Sequence, residues 1–387
     1  MDDLNNMNEF PEFSLEMLEW LADTKEPKNE KERRFKLLIN KIYIDLYVCW
    51  RERVKTKKYS RETFDFEHNG GYKIMEMAYY IGVMQWKASG YKAFPVFHPS
   101  RIINAPVYGD RIVEQWATLR YIISEFQDKL LYENMACQEG KGLQLVIKYV
   151  KKMIHDCQLK YGTDFWFLQY DMQGYFDNMS HDKILELFSG IQKRGLQIYS
   201  AFLDSFEIKD SYAAMADPSH KHGIPKGCFP SQWSGIVYLN DLDHRVHERE
   251  DCESQIRFMD DSVMLFKTKE SCIDTYRFIE SYLRDNKMGI RMHPGKTAYA
   301  PITRGFNFCG WHFEIKQPSE KILVRLKQSK KKEMLERLGQ WQKAYEKGNM
   351  TWAEVTEKMR GVYNYLENGD TYRLRQYISH RFVFTKK

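Results

Sequence analysis

The sequence predicts an α+β fold, and three observations carry that expectation. Short apolar runs at residues 165–171 and 256–266 end in or enclose carboxylates and read as strands of one antiparallel sheet. Stretches with apolar residues at three- and four-residue spacing lie between them, and these supply the helices that must back a half-buried sheet. Beyond Ile322 only the helical period remains.

Taken in order, residues 1–32 hold ten Asp and Glu against three Lys and read as an acidic arm or capping helix. Residues 33–54 read as a helix, with Leu37, Leu38, Ile42, Leu46, Cys49 and Trp50 recurring at helical intervals. Asn69-Gly70-Gly71 breaks the chain before a helix over 72–84. Residues 90–112 are β-rich and punctuated by proline, as in a hairpin, and 111–131 and 143–157 read as helices. Asp171 ends the strand 165–171. The stretches 256–259 and 262–266 form a hairpin around Asp260-Asp261, followed by a helix over 271–288. Lys327, Lys330, Lys331 and Lys332 open a helix carrying Leu335, Leu338, Trp341 and Tyr345, and a second runs over 352–365.

Composition narrows the function classes. A chain of 387 residues supports two or three subdomains. No apolar run reaches the roughly 20 residues that span a bilayer, and no basic-then-apolar leader opens the chain, so a cytoplasmic protein with no membrane partner is expected. Seven cysteines without close pairing read as buried thiols rather than a disulfide framework or zinc ribbon. His220 with His222, and His244 with His247, lack Cys or carboxylate partners at ligand spacing. The net charge of +6 is uneven: ten Arg and Lys fall between Arg33 and Arg61, interleaved with Tyr and Trp. Such a surface suits phosphate backbones and stacked bases, although a charge run by itself describes any solvated face.

The chemistry concentrates at Asp171, Asp260 and Asp261. Burying an unpaired carboxylate costs several kcal/mol, so two in a row inside an apolar run argue for a bound cation. Hard divalent ions take carboxylate oxygens, and two ions about 3.5–4 Å apart clamp the attacking and leaving oxygens of a phosphoryl displacement.

Several blocks extend this pattern. Asp171-Met172-Gln173-Gly174-Tyr175-Phe176-Asp177 precedes Ser180-His181. Gly223-Ile224-Pro225-Lys226-Gly227 precedes Ser231-Gln232 and then Tyr238-Leu239-Asn240-Asp241-Leu242-Asp243, ahead of Met259-Asp260-Asp261. Pro294-Gly295-Lys296-Thr297 and Phe308-Cys309-Gly310-Trp311 lie downstream. Upstream stand Arg101 to Pro106, Asp110-Arg111-Ile112-Val113 and Glu139-Gly140-Lys141-Gly142. In order and spacing these blocks resemble the reverse transcriptases over roughly residues 33–380. The resemblance implies a right-hand polymerase fold, with an N-terminal extension over 1–70, fingers over 71–165, palm over 166–315 and a helical thumb over 316–387. It also implies an RNA-directed DNA polymerase that copies an RNA template into cDNA with dNTPs and two Mg²⁺ ions, for which Mn²⁺ can substitute. Because the chain ends at Lys387, no room is expected for the maturase and endonuclease domains of group II intron enzymes.

The same resemblance assigns roles. Asp171 and Asp260 would be metal ligands, helped by the Met172 carbonyl and supported by Asp261. Phe176 would lie under the sugar of the incoming nucleotide and exclude a 2′-hydroxyl. Arg101 would pair with the triphosphate, and Lys226, Gly227 and Gln232 would line the nucleotide pocket. Lys296 would act as general acid on the departing pyrophosphate or as a plain phosphate contact. Phe308, Cys309, Gly310 and Trp311 would form the primer grip, though their apolar composition fits core packing equally well.

Ser231-Gln232, where most bacterial members carry Ser-Pro, is similar to the enzymes of diversity-generating retroelements. So are Trp50-Arg51-Glu52-Arg53, Phe66-Glu67-His68-Asn69 and Asn368 to Arg375. That subgroup implies error-prone copying of a template repeat and a small basic accessory protein. Lys226 departs from it, since an aliphatic residue usually stands there and Gln in other reverse transcriptases. The alternatives are another bacterial reverse transcriptase, of phage-defence, retron-like or stand-alone type, or a non-catalytic RNA-binding relic, which the intact Asp171, Asp260 and Asp261 disfavour.

Overall fold

The computed structural model describes residues 13–22, 27, 29–57, 60–97, 100–318 and 321–385. Half of the acidic N-terminal stretch therefore lies outside the described residues, and Leu15–Ala22 within it is helical. The chain divides into two units interleaved in sequence. One comprises residues 1–130, 174–240 and 283–290, the other 131–173, 241–282 and 291–387.

In the first unit the long basic helix Glu30–Lys57 packs against Gly70–Gly82. It buries Ile39, Ile42, Leu46 and Trp50 at helical spacing, together with Lys36, and leaves most of its other charged residues outside. The expected break before the next helix is present as the turn His68-Asn69 between Arg61–Glu67 and Gly70–Gly82, so that helix starts two residues earlier than expected; Gly70 packs where a Cβ would lie 2.3 Å from the Trp50 ring. The expected hairpin is present as β1 (Tyr91–Phe97) and β2 (Ser100–Pro106). Helix Tyr108–Ala117 continues into a π-helical turn, Thr118–Ile123. Helices Tyr175–Asn178, His181–Leu187, Lys193–Asp204 and Phe229–Tyr238 complete this unit's core. Ser180 caps the second of them by accepting from the Lys183 N–H.

The second unit holds the remaining strands: β3 (Trp166–Asp171), β4 (Cys252–Phe258), β5 (Asp261–Phe266), β6 (Ala298–Pro301), β7 (Phe306–Phe308), β8 (Trp311–Glu314) and β9 (Leu323–Leu326). They form two antiparallel sheets, ordered β4-β5-β3-β6 and β7-β8-β9. Strand alternation puts Phe167, Val263 and Leu265 on one face of the first sheet. There they share a buried core with Val146, Val150 and Ile154 of helix Leu143–Tyr161. That helix, grouped with the fingers by sequence order, thus packs inside the carboxylate-bearing unit. The same core reaches the second sheet through Phe306, Trp311 and Val324, and the C-terminal helices through Leu338, Leu366 and Ile378. Two of those helices, Gln328–Glu346 and Trp352–Leu366, match the expected periodicity. Tyr372–Arg381 adds a third after the Asn368-Gly369-Asp370 turn. Among the described residues no helix is long and apolar enough to cross a membrane. The cysteines are unpaired as expected, but only Cys157, Cys228 and Cys272 are buried, while Cys49, Cys252 and Cys309 are partly exposed and Cys137 is exposed.

Asp370 anchors the last helix to β9, since its Oδ2 accepts from the Val324 N–H at 2.9 Å and its own N–H donates to the Val324 carbonyl at 2.7 Å. The preceding Gly369 sits where a Cβ would lie 2.2 Å from the Trp311 ring and 2.7 Å from the Val324 carbonyl oxygen. Gly369→Ala is therefore predicted to destabilise the protein by about 1–3 kcal/mol through overpacking, read as a lower midpoint in chemical denaturation.

Candidate active site

Register brings the carboxylates together. In the β3–β5 pair Asp171 stands directly opposite Asp261, which puts both side chains on one face as cross-strand neighbours. In the β4–β5 hairpin Phe258 pairs with Asp261, so Met259 and Asp260 alone make the turn. The expected hairpin is present with one difference: Asp261 belongs to the strand, and only Asp260 occupies the tip. Met259 has the left-handed φ of +59°, uncommon for a side chain of its kind. The Met172 N–H donates to the Asp260 carbonyl at 3.1 Å and so ties the turn to the end of β3.

Beyond Asp171, Gln173 N–H donates to the Arg291 carbonyl, and His293 N–H donates to the Asp171 carbonyl at 2.7 Å. The turn that follows, braced by Gly295 N–H on His293 Nδ1, delivers Lys296. Its Nζ lies 3.0 Å from both carboxylate oxygens of Asp171, while the lysine remains exposed.

The electrostatics are unbalanced. Burial, and then the charge of Asp171, push the Asp260 carboxyl above its ordinary range. For Asp261, burial followed by the charges of Asp171 and Asp260 raises the carboxyl to about 7. The Gln169 side chain and the Cys309 N–H hydrogen-bond to Asp261, opposing that rise. Even so, Asp261 Oδ1 is buried without a hydrogen-bond partner. Among the described residues no three His, Cys, Asp or Glu side chains are gathered closely enough to hold a metal ion as they stand. The donor chemistry nonetheless fits a divalent cation: hard oxygens, mutual repulsion and an orphaned acceptor. Ligation would require Asp171 to turn from Lys296.

The other predicted residues separate into two groups. Phe308 and Trp311 are fully buried core residues paired across the β7–β8 hairpin. Cys309 and Gly310 form its two-residue turn with positive φ at both positions, 49° and 84°, which matches the twist of a tight hairpin. This group therefore meets the carboxylates only through the Cys309 N–H. Gln169, which sequence reasoning missed, also joins the two, because its amide donates to the Asn307 carbonyl beside the turn. Its signal was polarity at an inward position of an apolar strand.

Arg101, Phe176, Lys226, Gly227 and Gln232 belong to the first unit. Arg101 is exposed on β2 opposite Val96. The Asn104 N–H donates to the Lys226 carbonyl at 2.9 Å, and Gly227, at φ +106°, packs where a Cβ would come within 2.6 Å of Ile103. Lys226 Nζ pairs with the Asp177 carboxylate at 2.6 Å. Phe176 is half-buried, with its ring against Gly235, and its carbonyl accepts from the Ile224 N–H. Gln232 is half-buried on helix Phe229–Tyr238, after Ser231, whose hydroxyl donates to the Pro225 carbonyl. Sequence reasoning also missed the buried pair Asp243–Arg257, at 2.6 Å behind the carboxylate strands.

Residues 100–313, more than half of the chain, match the family described as reverse transcriptase (RNA-dependent DNA polymerase). No curated protein matches. Among solved structures the chain is similar to apo telomerase from Candida tropicalis truncated from the C-terminal domain, with 13% identity over 62% of this chain and 54% of that chain and a TM-score of 0.43. It is similar also to telomerase from Candida albicans in complex with a TWJ fragment of telomeric RNA, with 12% identity over 62% and 45% and a TM-score of 0.45. The chain spans about half the length of these telomerase chains, and likeness this low carries no argument about function.

Because Asp261 is held neutral up to about pH 7, ionising it costs the metal-free protein stability as pH rises from the usual carboxylate range through 7. Asp261→Asn is therefore predicted to stabilise the metal-free protein at pH 8 by on the order of 2 kcal/mol, with little change at about pH 3, below the ordinary carboxylate value. Thermal melts at the two pH values in the presence of a chelator measure this difference.

Proposed function

Since the chain belongs to the reverse transcriptase (RNA-dependent DNA polymerase) family and has its α+β right-hand polymerase fold, we propose that it acts as an RNA-directed DNA polymerase, with specific roles for its site residues and a specific type of enzyme. The observation that carries the reading is the cross-strand register of Asp171 and Asp261 beside the Asp260 turn. Asp171 and Asp260, with the Met172 carbonyl, are the ligands for two Mg²⁺ ions, and Asp261 is the supporting carboxylate. When bound, these ions neutralise the carboxylates, activate the primer 3′-hydroxyl and stabilise the leaving pyrophosphate.

The protein's own groups do the rest. Lys296, which pairs with Asp171 and is exposed, would serve on the pyrophosphate side as a phosphate contact or proton donor. Exposed Arg101 offers a forked donor to the triphosphate. Phe176, backed by Gly235 and therefore unable to retreat, excludes the 2′-hydroxyl. Cys309 and Gly310 form the turn of the primer grip, while buried Phe308 and Trp311 hold that turn in place.

Within the family the diversity-generating retroelement type is the reading we favour, supported by Ser231-Gln232. Gln232 is half-buried on its helix and lacks proline's constraint, which loosens the hold on the nascent base pair. Template RNA, primer, dNTPs and a small basic accessory protein are the partners this type entails. Lys226 favours the second reading, another bacterial reverse transcriptase, because it stands where that subgroup carries an aliphatic residue. Its charge is, however, neutralised by Asp177 rather than offered to a nucleotide. Sequencing cDNA made on a defined RNA separates the two: errors concentrated at template adenines favour the first, uniform low error the second.

Asp260→Ala and Asp261→Ala are predicted to abolish Mg²⁺-dependent extension of a primed RNA template while RNA binding persists, since binding rests on distributed basic contacts. Near-normal extension by either variant would refute the metal assignment. Phe176→Ala is predicted to admit ribonucleotides, measured as a fall in the dATP-over-ATP preference. Unchanged discrimination would return Phe176 to the core.

A further inference from the structure

Arg257 lies in β4, two residues before the Met259-Asp260 turn, and only 3% of its side chain is exposed. By register it shares a face with Ser262 and Tyr170, opposite the face that carries Asp171 and Asp261. Its Nε donates to both Asp243 oxygens at 2.8 and 2.9 Å, and its Nη2 donates to Oδ2 at 2.6 Å. The remaining arm of the fork turns forward, and Nη1 donates to the Met259 carbonyl at 2.9 Å. The main chain of Arg257 is pinned as well, donating to the Glu133 carbonyl at 3.0 Å and accepting from the Met135 N–H at 2.9 Å. Thus a side chain fixed at both ends grips the carbonyl of the left-handed residue that aims Asp260.

A buried ion pair is weak evidence for stability, since well-packed apolar residues often replace one without loss. This pair has a geometric consequence that apolar residues could not reproduce. A lysine could satisfy Asp243 but has no rigid fork with which to hold a second acceptor. The tip itself needs such a hold: Met259 occupies a backbone region that side chains rarely adopt, and Asp260 is repelled by Asp171. A second tie on the turn is the Met172 N–H on the Asp260 carbonyl.

We infer that Arg257, buttressed by Asp243, is a positioning residue that holds the Met259-Asp260 turn so that Asp260 meets the metal in its ligating orientation. The inference rests on the polymerase reading of the carboxylates.

The test compares wild type with Arg257→Lys and with the apolar replacement Arg257→Met/Asp243→Leu, which removes the grip without leaving a buried charge. In the metal-free protein, hydrogen exchange of residues 256–264 is expected to quicken about tenfold or more in both variants, while exchange in helix Leu143–Tyr161 is unchanged. Mn²⁺ binding by calorimetry is expected to weaken about tenfold. In primer extension, kcat should fall by about tenfold to a hundredfold, with KM for dNTP and RNA affinity within about twofold. Wild-type exchange at the turn and wild-type Mn²⁺ affinity in either folded variant would overturn the inference. So would failure of both variants to fold, which would make the pair an element of stability. A wild-type rate in Asp260→Ala would instead overturn the polymerase reading, and the exchange result would still report on the grip.

Discussion

Two carboxylates face one another across hydrogen-bonded strands, and the structure around them answers the repulsion that arises when both ionise. Like charges placed directly opposite, as in the Asp171–Asp261 pair, destabilise a sheet. Lys296 sits on Asp171, while Gln169 and the Cys309 N–H bond Asp261 and leave one of its oxygens unpartnered. These arrangements are partial compensations. Such a cluster persists only because the surrounding core over-determines it: helix Leu143–Tyr161, the two sheets and the C-terminal helices form one continuous apolar packing around β3, which ends on Asp171, and β5, which begins on Asp261.

The first unit solves a different problem, that of holding an irregular segment still. Residues 223–228 are pinned through Gly223 N–H on the Met179 carbonyl, Ile224 N–H on Phe176, Lys226 carbonyl on Asn104 N–H and Pro225 carbonyl on the Ser231 hydroxyl. Each bond uses a backbone group that would otherwise be buried unpaired. The ion pair of Lys226 with Asp177, next to Phe176, adds a charge-assisted tie to the same segment.

Much of this was legible in the sequence. The two short strands and the hairpin follow from short apolar runs, the helical C-terminal region from the period-3.6 pattern, and the carboxylates stood out as charges inside apolar runs. The helix expected from residue 72 begins at Gly70, whose pair of glycines reads as a break locally although Gly70 is packed against Trp50, where no side chain fits. Placing Asp261 at the tip failed because register is set by the pairing with β3, which local pattern does not contain. The Arg257–Asp243 pair was missed although Arg257 interrupts an apolar stretch, because Asp243 lies in the polar run 240–251 and carries no such signal. Their meeting 14 positions apart is a property of the fold.

The most direct measurement of the central claim, that this carboxylate cluster is built to take divalent cations, is the proton count on binding. Mg²⁺ is titrated into the protein at pH 7 in two buffers of different ionisation enthalpy. With Asp261 raised to about 7, the account predicts that binding expels a substantial fraction of a proton per molecule and that Asp261→Asn abolishes the release. Binding without proton release, or no binding at all, would contradict it.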